Sequence, residues 1–285
     1  MSIRRAGIIG AGLMGSGIAQ ACATSGIDVT LVDVNDAAIQ RGMDAIGGSL
    51  DRLVKREKLK PDEKDAALAR IKGTSSYDDL KGLPLVVEAA TENVELKIRI
   101  LRQVDSLIDA GAVIATNTSS ISITQLAATV SHPERFIGIH FFNPVPVMAL
   151  VELIRGLQTA DETHATAEAF VKALGKTPIS VKNSPGFVVN RILCPMINEA
   201  IQVLQEGLAS AEEIDAGMRL GCNHPIGPLA LADLVGLDTL LAVMSVFYEG
   251  FNDPKYRPAL LLREMVQAGY LGRKSGRGFY RYGSA

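Results

Sequence analysis

Up to about residue 183, short apolar runs rich in Val and Ile alternate with longer segments whose apolar positions recur at helical spacing. This is the pattern of βαβ units, in which strands covered on both faces are joined by helices. Strands are expected at residues 6–9, 29–33, 85–88, 113–116, 136–141, 150–154 and 179–182, with helices between most of them. Gly26, Gly73, Gly111 and Gly175 read as joins between elements, Gly175 at the left-handed position that follows a helix. After Asn183-Ser184-Pro185-Gly186 the strand signals stop, and apolar helical runs follow at 187–205, 211–220, 229–247 and 259–268. Ser210 and Glu213 have capping-box spacing, and Pro228, Pro258 and Gly269 mark other helix ends. The expected organisation is an α/β domain over residues 1–183 with a mostly parallel sheet, then an all-α domain over 184–285. About 100 residues in a few long apolar helices need a further surface to cover them, either the first domain or a second subunit.

Composition narrows the class. The 285 residues allow one large domain or two modest ones. Hydrophobic residues at 47% and charged residues at 21% exclude disordered and collagen-like chains. A net charge of -2 and a pI near 6.1 provide no positive field for a nucleic acid or an anionic membrane, so an anionic ligand needs a local site. Cys22, Cys194 and Cys222 are scattered and lack a CxxC pair, which argues against a disulfide framework and a thiolate zinc site and for a reducing cytoplasm. No metal is expected. The apolar run after Met-Ser-Ile-Arg-Arg is too short for a secretory signal, and no stretch approaches the ~18 apolar residues of a membrane span.

Gly10-Ala11-Gly12-Leu13-Met14-Gly15 is a GxGxxG placed directly after an apolar strand and at the start of a helix. Here Gly10 makes the tight turn, Gly12 lets the backbone approach a pyrophosphate, and Gly15 allows close packing while the helix N-terminus faces the phosphates. Asp33 lies 18 positions after Gly15 at the end of the next strand, where a carboxylate accepts from the ribose hydroxyls of a dinucleotide. The set predicts a Rossmann-type domain. Because Asp33 would repel a 2′-phosphate and no Arg or Lys intervenes before Arg41, NAD is favoured over NADP.

Oxidation of an alcohol by such a coenzyme needs a proton acceptor, and histidine suits neutral pH. His132 and His224 precede prolines and His164 opens a polar helix, all consistent with solvated positions. His140 ends an apolar strand at the sheet edge where such folds bind ligands; the alternative is a core histidine satisfied by a backbone carbonyl. Glu152 and His140 each lie six residues from Pro146, so an antiparallel hairpin centred there sets them opposite one another on one face. Glu152 would then orient the imidazole and stabilise its cation, unless it pairs locally with Arg155. Ser119, in Asn117-Thr118-Ser119-Ser120, and Asn190, in the apolar segment at the domain junction, could bind substrate oxygens. Taken alone, Ser119 is better suited to cap the helix expected at 123–128 or to form a turn. Arg52, Lys55, Arg56, Lys58 and Lys60 form a basic helix end, either a solvated terminus that favours the helix dipole or a clamp for a large anionic substrate.

The run GAGLMGSGIAQ, the NTSS segment, IHFFNPVPVMALVELI, SPGFVVNRIL and LGRKSGRGFY together resemble the 3-hydroxyacyl-CoA dehydrogenases over essentially the whole chain. The short single-activity chain is most like the bacterial 3-hydroxybutyryl-CoA branch of that family. The resemblance implies an (S)-3-hydroxyacyl-CoA substrate, His140 as catalytic base with Glu152 as its partner, and Ser119 and Asn190 on the acyl-CoA oxygens. It implies an NAD site lined by the glycine loop from Gly10 through Leu13 and Met14 to Gly15, with Asp33, Glu92, Lys97, Asn117, Ser119, Asn143 and Lys274. It assigns Ser49, Lys55 and Arg56 to the CoA phosphates, Arg56 standing where the family has a lysine, and a homodimer formed through the helical domain. Two rivals share the architecture. One is a β-hydroxyacid dehydrogenase, which usually places a lysine where Asn190 stands; the other is a non-catalytic nucleotide-binding or structural relative, which does not need the His140, Glu152, Ser119 and Asn190 set.

Overall fold

The computed structural model describes residues 3–283, and the chain divides between Asn183 and Ser184 into two units. In the first, the apolar runs form β1 (Arg5–Ile9), β2 (Asp28–Val32), β3 (Ile71–Thr74), β4 (Leu85–Glu88), β5 (Val113–Thr116), β6 (Phe136–Phe141), β7 (Leu150–Arg155) and β8 (Thr177–Lys182). They make one eight-stranded sheet in the order β3-β2-β1-β4-β5-β6-β7-β8. Every pairing is parallel except that of β6 with β7. Strands β4, β5 and β6 are buried at every position, as strands covered on both faces must be. Helices α1 (Leu13–Thr24), α2 (Asp36–Lys55), α3 (Pro61–Ala69), α4 (Val94–Asp105), α5 (Ile123–Ala127) and α6 (Asp161–Ala173) connect them. The order reverses at β1, whose neighbours are β2 and β4, so a crevice opens beyond their C-terminal ends.

Strand β3 is absent from the sequence expectation. It lies at the sheet edge with its middle residues exposed and so lacks an apolar run. Gly73 is inside β3 and is not a join; a Cβ there would come within 2.3 Å of Ile39 Cγ2, so the glycine lets α2 close on the strand.

The second unit contains α7 (Val189–Gln205), α8 (Ala211–Gly221), α9 (Pro228–Val235), α10 (Leu237–Phe251) and α11 (Leu260–Gln267). Its core gathers Ile197, Ile201, Leu229, Leu240, Met244, Phe247 and Leu262. The expected single helix over 229–247 is instead two, α9 and α10, which meet at a 98° bend. Gly236 causes the break, because its φ of 101° is open to glycine and strained for other residues. The capping box of Ser210 and Glu213 opens α8 as expected. Among the described residues no single helix is long and apolar enough to cross a membrane.

One buried carboxylate secures the end of this unit. Asp233, 1% exposed, accepts from the backbone N–H groups of Phe279 and Tyr280, both at 3.0 Å, and from the Tyr282 hydroxyl at 2.9 Å. A Cβ at Gly278 would lie 1.9 Å from Asp233 Oδ1, so only glycine lets the segment approach. Removing the carboxylate strands these donors. Asp233→Ala should lower stability by about 3 kcal/mol, read as a shift of the urea midpoint followed by circular dichroism; an unchanged midpoint would show that the segment does not depend on Asp233.

Candidate active site

The glycine loop owes its shape to close approach. Gly10 has a φ of 99°, and a Cβ there would meet Ala90 Cα at 2.6 Å, so the ends of β1 and β4 can approach only across a glycine. A Cβ on Gly15 would lie 1.7 Å from the Gly10 carbonyl oxygen. Gly12 is different. It precedes α1 without a side-chain cap, and a Cβ there would meet no protein atom within 4 Å. The backbone at Gly12 is thus open rather than packed, and the N–H groups at the start of α1 suit an anion. Asp33, one residue past β2, accepts from Ala11 N–H and Val34 N–H at 2.6 Å each, which aims the carboxylate at the loop. Each oxygen retains a lone pair for a ribose hydroxyl.

A cavity of about 610 Å³ brings Gly12, Leu13, Asp33, Ser49 and Asn143 together from the expected set. Ala38, Arg41, Ala45, Ser49 and Arg52 recur along one face of α2 and form its far wall. Arg52 belongs to the expected basic helix end, whereas Arg41 was not among the expected ligands, although its helical spacing from Ser49 carried the signal. Open space at Gly12, a helix N-terminus and the Asp33 carboxylate on one cavity fit a dinucleotide. Leu13 is exposed, whereas Met14 packs against the core. Lys55 and Arg56, at the end of α2, are exposed and do not line this cavity.

Beside the crevice, the ends of β4 and β5 are tied by a buried polar cluster. Glu88 accepts from the Lys97 ammonium, from Thr116 Oγ1 at 2.7 Å and from Ala90 N–H at 2.9 Å, and Glu88, Lys97 and Thr116 are each 0% exposed. Lys97 is fully buried and ties the ends of β4 and β5 through Glu88 and Thr116. Asn117 N–H donates to the Glu88 carbonyl at 2.7 Å, while Asn117 Oδ1 accepts from Phe141 N–H at 2.9 Å and joins β5 to the end of β6. Glu92 is exposed and accepts from Thr118 Oγ1 at 2.7 Å and Ser119 N–H at 3.2 Å.

The antiparallel pairing of β6 with β7 sets His140 directly opposite Glu152. His140 Nδ1 lies 2.7 Å from Glu152 Oε2, and Ser119 Oγ lies 3.0 Å from His140 Nε2. His140 is 4% exposed and Glu152 0%. An ionised carboxylate only accepts, so Nδ1 carries the proton and Nε2 is the basic nitrogen. The local alternative for Glu152 does not form, since Arg155 bonds Asp161 at 2.6 Å instead. Ser119 does not cap α5; that cap is Ser122, which accepts from Gln125 N–H. Of the other histidines only His132 is exposed, beside Glu134 at 3.2 Å: His164 is half-buried and bonds Ser180 at 2.7 Å, and His224 is half-buried. Burial pushes the Cys22 and Cys194 thiols up to about 12, which removes both as nucleophiles at neutral pH.

Two expected residues belong to the helical unit. Asn190 is the second residue of α7 and is half-buried. Lys274 donates to Asp238 Oδ2 at 2.7 Å; burial works against the Asp238 carboxylate, but this bond and the Lys274 charge hold its pKa below the usual range.

With this geometry in place, comparison with known proteins is informative. Residues 5–184 match the family model for the 3-hydroxyacyl-CoA dehydrogenase NAD binding domain, and residues 186–282 match that for its C-terminal domain. A 3-hydroxybutyryl-CoA dehydrogenase of Bradyrhizobium diazoefficiens is 50% identical over 283 residues, 99% of this chain and 97% of the relative. A probable 3-hydroxybutyryl-CoA dehydrogenase of Deinococcus radiodurans is 52% identical, covering 97% of this chain and 99% of its own. Among solved structures, (S)-3-hydroxybutyryl-CoA dehydrogenase PaaH1 from Ralstonia eutropha aligns with a TM-score of 0.98 and 68% identity, covering 99% of this chain and 100% of that one. Both halves of the sequence and the fold agree, and the chain belongs to the 3-hydroxyacyl-CoA dehydrogenase family.

Proposed function

We propose that this protein is an NAD-dependent (S)-3-hydroxyacyl-CoA dehydrogenase that interconverts (S)-3-hydroxybutyryl-CoA and acetoacetyl-CoA. The observation that carries the reading is the buried pair of His140 and Glu152 at the end of β6, with Ser119 on the second ring nitrogen. His140 Nε2 takes the proton of the C3 hydroxyl, and the Glu152 carboxylate stabilises the imidazolium as it forms. Ser119 Oγ and the Asn190 amide orient the substrate oxygens. Bound NAD supplies the two-electron acceptor for C3. Gly10, Gly12, Leu13, Met14, Gly15, Asp33, Glu92, Asn117, Ser119, Asn143 and Lys274 serve the coenzyme by contact or by shaping its site, and Lys97 serves it through Glu88 and Thr116. Ser49, Lys55 and Arg56 receive the CoA phosphates.

We further infer a homodimer formed through the helical unit and a cytoplasmic location. Ile192, Leu208, Leu220 and Leu260 expose large apolar side chains on that unit, which supports a buried partner face. Free Cys22, Cys194 and Cys222 support a reducing compartment. Sedimentation equilibrium should return twice 30.3 kDa; a monomer at micromolar concentration would count against the dimer.

The direct assay is loss of NADH absorbance with acetoacetyl-CoA, run beside a small β-hydroxyacid with NAD. Turnover of the thioester alone is expected; oxidation of the free acid would favour the β-hydroxyacid reading, and turnover of neither would favour a non-enzymatic role. His140→Gln should lower kcat by about a thousandfold while the NADH dissociation constant, from fluorescence titration, stays near the wild-type value. Near-normal turnover would remove His140 from the base role. Gly12→Ala separates a ligand glycine from a packing one. Its melting temperature should be unchanged while NADH binding weakens by about tenfold; normal binding would place the pyrophosphate elsewhere.

A further inference from the structure

Between β6 and β7 the chain makes a loop, residues 142–149, that does two things at once. It closes the hairpin bearing His140 and Glu152, and it contributes Asn143, Pro144, Val145 and Pro146 to the wall of the 610 Å³ cavity. Its inner side rests on the nucleotide helix. A Cβ at Gly17 of α1 would lie 2.8 Å from Val145 Cβ, so the valine packs directly on the helix backbone there.

The outer side of the loop is held by Lys176. This residue lies between Gly175, which ends the turn after α6, and Thr177, the first residue of β8. Its ammonium donates to the Val145 carbonyl at 2.6 Å and to the Met148 carbonyl at 2.8 Å. The next residue continues the tie, because Thr177 N–H donates to the Ala149 carbonyl at 2.8 Å. Lys176 is half-buried, no carboxylate is among its described partners, and burial lowers its pKa from the ordinary lysine value. A partly desolvated cation held only by carbonyls is unfavourable for an ordinary surface lysine, which keeps its ammonium in water. Such a placement is accounted for by what the two carbonyls belong to: the segment that carries the cavity wall.

We propose that Lys176 is a positioning residue for the coenzyme, whose ammonium clasps the β6–β7 loop from outside the cavity and so holds Asn143 and Val145 in place against α1. The inference rests on the reading of this cavity as the coenzyme site. The clasp does not set the alignment of His140 with Glu152, which the β6–β7 and β7–β8 ladders fix on their own. Loss of the ammonium should therefore loosen coenzyme binding and spare the chemical step.

The test compares Lys176→Met, which keeps the length of the stem but not the charge, with Lys176→Arg, which can still donate to two carbonyls. NADH affinity is measured by fluorescence titration without substrate, kcat with acetoacetyl-CoA at saturating NADH, and folding by melting temperature. For Lys176→Met the dissociation constant for NADH is expected to rise about fivefold, with kcat within about twofold of wild type, and Lys176→Arg should recover most of the affinity. A lowered melting temperature with unchanged NADH affinity would reduce Lys176 to a structural lysine and overturn the proposal. So would a Lys176→Arg protein that binds NADH as weakly as Lys176→Met, because the cation would then not be what matters. If Lys176→Met does not fold, Lys176→Gln is read against the same two outcomes. Wild-type NADH binding and turnover, run alongside, keep failure of this inference separate from failure of the functional reading.

Discussion

A carboxylate shut away from water must be matched to donors, and Glu152 at 0% exposure is the group for which the surrounding strands are arranged. Its partner His140 comes from the neighbouring strand, and the two meet only if β6 and β7 run antiparallel in one register. A slip of one residue between β6 and β7 would put the two side chains on opposite faces of the sheet and break their bond. The sheet departs from its parallel pattern at this one pairing. That reversal lets a short loop replace a crossover helix, and the same loop then reaches the nucleotide cavity. The His140–Glu152 pair and this part of the cavity wall are therefore two ends of one hairpin.

The crevice beside it is shaped by the opposite device, the removal of side chains. Gly10 and Gly15 have no room for a Cβ, whereas Gly12 faces open space. Three glycines in six residues thus divide into two that close the backbone on itself and one that leaves it open to a ligand. On the far side of the switch point, where no glycine intervenes, the ends of β4 and β5 are tied by charge through Glu88, Lys97 and Thr116. An ion pair so deeply buried is costly to form but costlier to break, which makes it a rigid post beside a site that needs fixed geometry.

Where local periodicity and long-range geometry coincide, the sequence is readable. His140 and Glu152 could be paired in advance because both interrupt apolar strands at equal distances from Pro146. Asp33 could be placed because the glycine loop and the next strand set its reach. Strand β3 could not, since an edge strand with Lys72 and Gly73 exposed has no apolar alternation to find. The break at Gly236 was hidden in a continuous apolar run, and only its backbone angle separates α9 from α10. Lys97 did carry a signal, as it occupies the buried face of α4 with Ile100, Leu101 and Val104. A lysine at such a position must find a buried acid, yet which acid it finds depends on strand order, and strand order is not local. Ser119 stayed open as a helix cap because its partners Glu92 and His140 lie far along the chain, and the cap is Ser122 instead.

Ser119, His140 and Glu152 also have the spacing of a nucleophile, base and orienting acid, the arrangement used for acyl transfer. Such transfer to a thioester carbonyl would need N–H donors beside Ser119 to receive the oxyanion. Those nearest are already engaged. Ser119 N–H donates to Glu92 at 3.2 Å, and the N–H groups of Ser120 and Ile121 both donate to Thr118 Oγ1, at 3.3 and 3.1 Å. With these three donors engaged, attack by Ser119 gains no oxyanion stabilisation from them, while transfer of a single proton to His140 needs none. That engagement suits the same residue types to moving a proton rather than to transferring an acyl group. Proton transfer alone suits a substrate whose thioester must survive while its C3 oxygen reacts.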